Sequence, residues 1–247
     1  MPLFRVNGQL HFFAHVPKCA GTSVEHYLRE RFGGLAFYDN FHTQTPTNTR
    51  WSNTSPQHID TESFYKLIPE SWIKSSFAIV RHPVKRVVSA YHFQTEVEGK
   101  LNENHFIDDW LATWISTADT NVYKYDNHLR RQSELVPDDA QIFYLEHGLD
   151  GVVGYLDALA GNSNGPRSIL GDNIRKAGDK PAVQLSDASL ALIADYYAAD
   201  FRRFGYTLAD PKPLAVKDAF HRAALPGPAQ VFVRRLKRKI ARKLGTH

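Results

Sequence analysis

The stretch LHFFAHVPKCAGTSVEHYLRERF, residues 10–32, decides the fold of this chain. Its first part, residues 10–16, is an apolar run of strand length that stops at a proline. A short polar loop follows, and residues 24–32 place apolar side chains near one helical face before two glycines end the helix. A strand, a glycine-containing loop and a helix in this order favour a parallel sheet with a ligand at the carboxyl end of the strand.

The loop between this strand and helix has the properties of an anion site. Small residues let the backbone approach a ligand, and the free N–H groups and dipole of the helix N-terminus attract negative charge. The lysine precedes the glycine, whereas the lysine of a Walker A loop follows it. An ordinary strand-to-helix turn with a surface lysine fits the same pattern. The residues that we expect to contact the anion are Lys18, Cys19, Ala20, Gly21, Thr22 and Ser23.

A second strand and helix carry a second basic motif. The apolar run at 76–80 is followed by RHPVKRVVSAY, residues 81–91, in which Pro83 suits the first turn of a helix. Arg81 falls at the carboxyl end of the strand and can hold a phosphate group with two hydrogen bonds, and Ser89 can complete that pocket. Lys85 is expected to be a surface charge. The alternative interpretation is a capped helix with a solvated basic face.

The remaining pattern alternates strands and helices and predicts an α/β fold with a central, mostly parallel sheet flanked by helices. Residues 39–57 are rich in Thr, Asn and Pro and are predicted to form a long loop. A further strand is predicted at 141–147. Helices are predicted at 62–67, 105–117, 120–133, 148–161 and, as one long helix capped by Ser186, 186–206.

Charge and composition separate the chain into two parts. The 247 residues carry a net charge of +4. Residues 231–247 contain seven cationic residues and no acid, so removing those seven charges from +4 leaves −3 for the rest. We therefore expect a domain over 1–208, then a Pro-containing linker and a basic amphipathic C-terminal helix over 209–247. The high pI comes from the tail, and no nucleic acid partner is expected for the body.

Cysteine usage and hydropathy limit the environment of the chain. Cys19 is the single cysteine, so an intramolecular disulfide is excluded and a cysteine-based metal site is disfavoured. The first residues lack the apolar region of a secretory signal, and no apolar run reaches about 18 residues. These features predict a cytoplasmic protein. The apolar stripe within 231–247 could also lie on the inner face of an anionic membrane or dock on its own domain.

The two motifs, HVPKCAGTS and VRHPVKRVVSAY, resemble the two anion-binding motifs of sulfotransferases that use 3′-phosphoadenosine-5′-phosphosulfate (PAPS). The likeness is greatest to the carbohydrate type, similar to heparan sulfate 2-O-sulfotransferase and its bacterial relatives. Cys19 stands where that family commonly has threonine, whereas the second motif matches every fixed position. The weaker stretches 126–132 and 200–206 extend the resemblance over about residues 10–208. It implies a P-loop-like, three-layer fold.

The resemblance also implies an activity, the transfer of a sulfuryl group from PAPS to a hydroxyl of a glycan or other acceptor, with PAP as product. In-line transfer needs an electrophile at the bridging oxygen and a base for the acceptor proton. Lys18 fits the first role, so no metal is required. His58, after the polar loop, resembles the catalytic histidine of the family. Asp60 or Glu62 could orient His58 or replace it as the base.

Four further cations are weaker candidates. Arg130 and Arg131 lie in the predicted helix at 120–133 and could contact acceptor or cofactor, although a solvated helix face explains them equally well. The carboxylate of Glu62 is another weak candidate for a contact with the acceptor. A basic loop late in the chain often closes over the 3′-phosphate in the family. Arg175 and Lys176 are the candidates for that role.

Two other classes of function remain open on the sequence. A P-loop nucleotide kinase would share the fold, but Gly-Lys-Ser/Thr and a magnesium-binding aspartate are missing at the expected places. A non-catalytic protein that binds polyanions or membranes through 231–247 would keep its binding without Lys18 and Arg81. The side-chain types do not identify the acceptor, the hydroxyl that is sulfated or the oligomeric state.

Overall fold

A computed structural model describes residues 2–101, 106–170 and 183–209 of the chain. The strands among them are β1 (Leu3–Val6), β2 (Gln9–Ala14), β3 (Ile73–Val80) and β4 (Gln141–Tyr144). The α-helices are α1 (Gly21–Phe32), α2 (Thr61–Leu67), α3 (Pro83–His92), α4 (Ile107–Thr117), α5 (Gln132–Leu135), α6 (Asp150–Ala160), α7 (Asp187–Tyr196) and α8 (Ala198–Phe204). Short 3₁₀ turns include Pro56–His58, Glu70–Trp72 and Lys124–Asn127, and a π turn, Phe93–Val97, extends α3.

The four strands form one sheet in the order β1-β2-β3-β4. β2 is parallel to β3, and β3 is parallel to β4, so the carboxyl ends of these three strands meet at one edge. The predicted mostly parallel α/β sheet is confirmed. β1, which the sequence analysis missed, is antiparallel to β2. Its signal was Asn7-Gly8, whose φ angles of 49° and 77° form the hairpin turn that an Asn-Gly pair favours.

Helices pack on both faces of the sheet through aromatic side chains, so the fold has three layers. On one face the rings of Phe13 and Phe77 stack with centroids 4.8 Å apart, and Tyr155 from α6 lies 5.5 Å from Phe77. On the other face Phe12 stacks on Phe64 from α2 at 4.2 Å. Because adjacent residues of a strand point to opposite faces, the Phe12-Phe13 pair anchors helices on both sides.

A second apolar cluster joins α3, α4 and α7 and includes Val87, Leu111, Trp114 and Ile193. Within the described ranges, no helix combines the length and apolarity needed to span a membrane. The predicted C-terminal helix, together with Arg175 and Lys176, lies outside the described residues.

Two helix predictions are wrong. The expected helix at 120–133 is mostly turns, because three consecutive residues from Tyr125 to Asn127 are left-handed, with φ between 53° and 60°. The expected long helix after Ser186 is divided into α7 and α8 at Tyr197, whose ψ of 20° ends α7. Its predicted cap is confirmed, since the Ser186 hydroxyl accepts a hydrogen bond from the Ser189 N–H at 3.2 Å.

Candidate active site

The loop after β2 is bent by two left-handed residues. Lys18 has φ 67° and Ala20 has φ 62°, a conformation that costs energy for residues with a side chain. Helix α1 then begins at Gly21 with no side-chain cap, so its first N–H groups remain available to a ligand. A left-handed residue followed by a helical one turns successive N–H groups toward a common point, which is an anion-binding arrangement.

A buried histidine supports this loop from the inside. A Cβ atom on Gly21 would lie 1.9 Å from the Nε2 atom of His15, so the loop reaches its position only with glycine there. The His15 Nδ1 atom lies 2.5 Å from a carboxylate oxygen of Glu25 on α1. Burial lowers the pKa of His15 despite this partner. His15 therefore holds β2, the loop and α1 together.

The side chain of Arg81 lies against the first loop. Its Nη1 atom donates a hydrogen bond to the Lys18 carbonyl at 3.2 Å, and the Lys18 Nζ atom lies 3.7 Å from the centre of the Phe93 ring. Burial, and then the charge of Arg81, lower the pKa of Lys18 to about 8. Among the described residues neither cation pairs with a carboxylate. Two neighbouring positive charges without a paired carboxylate form a site that an anion would stabilise.

Gln132 ties the two motifs together. Its side-chain amide accepts from the Arg81 N–H at 3.0 Å and donates to the Arg81 carbonyl at 2.8 Å. The same amide oxygen lies 3.6 Å from the Sγ atom of Cys19. Burial raises the pKa of the Cys19 thiol to about 12. The Cys19 side chain thus belongs to the interior, and this residue can offer an anion only its backbone N–H.

Arg86, a fixed position of the second motif, is a buried cross-link. Its Nε atom donates to the Pro17 carbonyl at 3.2 Å, and its Nη2 atom donates to the carbonyls of His128 and Arg130 at 3.0 and 2.5 Å. A guanidinium presents several donors in a rigid fork and can satisfy several carbonyls at once. Arg86 therefore connects the end of β2 to the segment that leads into α5, a role that its sequence position did not reveal.

His58 is paired with a residue that sequence reasoning did not select, Asp126. The Nδ1 atom of His58 lies 2.7 Å from the Asp126 Oδ2 atom. The Ser55 hydroxyl donates to Oδ2 at 2.6 Å and the Ser55 N–H donates to Oδ1 at 2.6 Å. Burial acts to raise the pKa of Asp126, but His58, His128 and Ser55 outweigh it and hold that pKa well below its usual range. Because an ionised carboxylate only accepts hydrogen bonds, the neutral form of the His58 ring carries its proton on Nδ1 and its lone pair on Nε2.

The turn that presents Asp126 is strained. Tyr125, Asp126 and Asn127 are consecutive left-handed residues, and backbone strain of this kind concentrates at functional sites. Asn127 donates from its side-chain amide to the His58 carbonyl at 2.8 Å. The turn therefore holds both the ring and the backbone of His58. The only local signal was the Asp126-Asn127 pair, since these residue types tolerate the left-handed region best after glycine.

The imidazole rings of His15 and His128 contact His58 and lie next to the loop after β2. The His58 ring meets His15 edge to face at 4.7 Å and His128 at 5.2 Å. Phe93, under the Lys18 ammonium group, lies 4.9 Å from His128. Burial holds the pKa of His128 well below its usual range. His58 is 8% exposed, so its ring lies in the protein interior beside His15.

His58, Asp126 and His128 are also the described residues that could hold a metal ion, since their ligand atoms lie within 4.8 Å of one another. A metal that used the His58 Nδ1 and Asp126 Oδ2 atoms would have to displace the short hydrogen bond between them. The His128 Nδ1 atom also has a partner outside the cluster, since it lies 3.2 Å from the Gln94 amide nitrogen.

The remaining predicted residues lie in several environments. Thr22 is exposed, whereas Ser23 is buried in the first turn of α1, and Ser89 is half-buried on α3. Glu62 is exposed and pairs with Lys66 at 2.8 Å, so it does not orient His58. Asp60 does not orient His58 either. It caps α2 through the Ser63 N–H at 2.9 Å.

The two arginines near 130 form ion pairs within the protein. Arg130 contacts Glu134 at 2.7 Å and Asp60 at 3.2 Å. Arg131, which precedes α5, contacts Glu134 at 3.0 Å and lies 4.0 Å from the Tyr196 ring centre. The structure thus offers no separate support for acceptor or cofactor contacts by either residue.

Comparison with known families agrees with this arrangement. A family profile described as "Sulfotransferase family" matches residues 4–207, which is most of the chain. The chain belongs to the sulfotransferase family. The match includes both anion motifs, the segment with His58 and the segment with Asp126. No curated protein and no solved structure matches the chain.

Proposed function

We propose that this sulfotransferase moves a sulfuryl group from PAPS to a hydroxyl of a carbohydrate acceptor, with His58 as general base. The observation that carries the proposal is the meeting of two parts at one edge of the sheet. One part is the Lys18–Arg81 cation pair beside the uncapped start of α1. The other is the His58–Asp126 pair, which reaches the same loop through His15.

The residues of the first part fit a donor with two anionic ends. PAPS supplies an activated sulfuryl group and, on the same nucleoside, a separate 3′-phosphate. The uncapped N–H groups at the start of α1 can receive an anion, and Lys18 places a cation where a bridging oxygen gathers charge. Arg81 is fixed by Gln132 at the end of the neighbouring strand and suits the 3′-phosphate, with Ser89 on α3 as a further donor.

The second part fits proton removal from a hydroxyl. The carboxylate of Asp126 keeps the proton of His58 on Nδ1 and stabilises the positive ring that forms when Nε2 takes the proton of the acceptor. Ser55 and Asn127 hold the two partners in place. The carbohydrate acceptor rests on the family resemblance of the motifs and on this base, which suits an alcohol.

Calorimetric titration of PAP without magnesium tests the donor site. We expect binding by the wild type and losses of about 1–3 kcal/mol, roughly 10- to 100-fold, in Lys18→Ala and Arg81→Ala. Lys85→Ala is the matched control, because Lys85 is an exposed cation of the same basic motif. Its affinity should stay within about twofold of the wild type.

The outcomes separate the alternatives. No PAP binding by the wild type, or tight ATP binding that requires magnesium, would reject the sulfotransferase mechanism in favour of a kinase-like activity. Equal losses in Lys85→Ala and Lys18→Ala would mean that PAP follows the general basic charge of this face and not a built site.

A further inference from the structure

A cavity of about 580 Å³ opens beside the turn that carries His58. It is lined mainly by Phe37, Tyr38, Asp39, Trp51 and Pro56, and the end of α2 closes it. Its volume falls within the roughly 300–1,000 Å³ of small-molecule sites. We propose that this cavity is the acceptor subsite and that it holds an uncharged sugar ring. The assignment rests on the proposed sulfuryl transfer.

The cavity and the base share one short turn. Pro56 lines the cavity and begins the 3₁₀ turn Pro56–His58. The side chain of Gln57 accepts from the Asp39 N–H at 3.2 Å and donates to the Asp39 carbonyl at 3.1 Å. These bonds join the cavity wall to the residue next to His58. A ligand held on this wall therefore contacts the same 3₁₀ turn that carries the group that would remove its proton.

Trp51 contributes an exposed aromatic ring to the cavity. It is 61% exposed, yet its ring meets Phe37 edge to face at 6.2 Å, and Phe37 in turn meets the buried ring of Phe64 at 6.0 Å. Phe37 also has a φ of 54°, which is an outlier for a bulky residue. A sugar ring has a face of C–H groups that can cover such a ring, while its hydroxyl rim stays in contact with water and polar groups.

Charge in the cavity favours a neutral sugar over a uronate-rich glycan. Among the residues that the structure describes, the lining contains one carboxylate, Asp39, and no lysine or arginine. The neighbouring Arg50 is engaged within its own loop, where its guanidinium donates to the carbonyls of Thr45 and Thr43 at 2.7 and 2.8 Å. A uronate would therefore face a like charge, whereas a neutral hydroxyl can donate to Asp39.

Radiolabelled sulfuryl transfer to defined hexasaccharides tests this subsite. The probes are the neutral cello-, manno- and maltohexaose and the uronate-containing hyaluronan hexasaccharide. We expect transfer to a neutral probe, with an acceptor KM raised roughly 10- to 100-fold in Trp51→Ala and kcat at saturation within about twofold. Trp72→Ala is the matched control, because Trp72 is 63% exposed but lies outside the cavity lining.

The results distinguish failure of the subsite from failure of the proposed function. PAP binding together with an unchanged KM in Trp51→Ala, or with a preference for the hyaluronan probe, would overturn the subsite alone. PAP binding with no transfer to any neutral probe would also overturn it. Absence of PAP binding by the wild type would instead reject the sulfuryl-transfer mechanism on which the subsite rests.

Discussion

Replacement of Asp126 by asparagine should remove most of the turnover without removing PAP binding. The Ser55 N–H donates to Oδ1, so the asparagine carbonyl should take that place. The amide NH₂ then occupies the Oδ2 position, 2.7 Å from the His58 Nδ1 atom. It can only donate there, which forces the His58 proton onto Nε2, the atom that must act as the base. Asparagine tolerates the φ of 53° at this position, so the turn itself should persist.

The size of the effect follows from two contributions. The variant loses a charge-assisted hydrogen bond, worth about 1.5–3 kcal/mol. Restoring the reactive tautomer would set two donors against each other at a buried site, at a cost of about 1–3 kcal/mol. Together these raise the barrier by about 3–6 kcal/mol, which corresponds to roughly a 10²- to 10⁴-fold loss of kcat.

The assay is radiolabelled sulfuryl transfer at saturating acceptor, with PAP affinity measured on the same samples. Ser55→Ala is the control, because it removes one hydroxyl and leaves the His58–Asp126 bond in place. Its kcat should fall less than that of Asp126→Asn, by roughly 10- to 100-fold, because a charge-assisted hydrogen bond is lost but the reactive tautomer of His58 is kept. A kcat for Asp126→Asn within about threefold of the wild type would refute the role of His58 as a base oriented by Asp126.

Three further predictions follow from the loop after β2. Because the pKa of Lys18 is lowered to about 8, its ammonium group loses its charge as the pH rises through that value. The affinity for PAP should therefore be greatest below about pH 8 and fall above it. Titrations that show no change in affinity between pH 7 and 9.5 would contradict this. Gly21→Ala places a Cβ against His15 and should lower the free energy of unfolding in urea by about 1–3 kcal/mol. In the control Gly154→Ala on α6 the added Cβ meets no atom within 4 Å, so the free energy of unfolding should rise by about 0.5–1 kcal/mol. Equal changes in the two variants would argue against the packing role of His15. The Cys19 thiol has a pKa of about 12 and should react with a thiol reagent at pH 8 only as fast as the protein unfolds. Stoichiometric labelling of the native protein would show that this thiol is not buried.

Some expectations failed for identifiable reasons. The helix predicted at 120–133 is wrong because the turn there is held by Ser55 and His58, which are 71 and 68 residues from Asp126 along the chain. Such distant partners leave no periodic signal. Asp60 and Glu62 were proposed to orient His58 because they are close to it in sequence. Asp60 instead caps α2 and Glu62 pairs with Lys66.

The parallel sheet and the position of both motifs could be predicted from the sequence alone. Each motif follows an apolar strand, and parallel strands bring their carboxyl ends to one edge, so Lys18 and Arg81 had to be neighbours. The residues that support them could not be predicted in this way. Three supporting contacts depend on long-range packing of specific atoms. They are the contact of Asp126 with His58, the link that Gln132 makes between the motifs and the contact of His15 with Gly21. Local propensity carries no information about such contacts, because it depends only on neighbours along the chain.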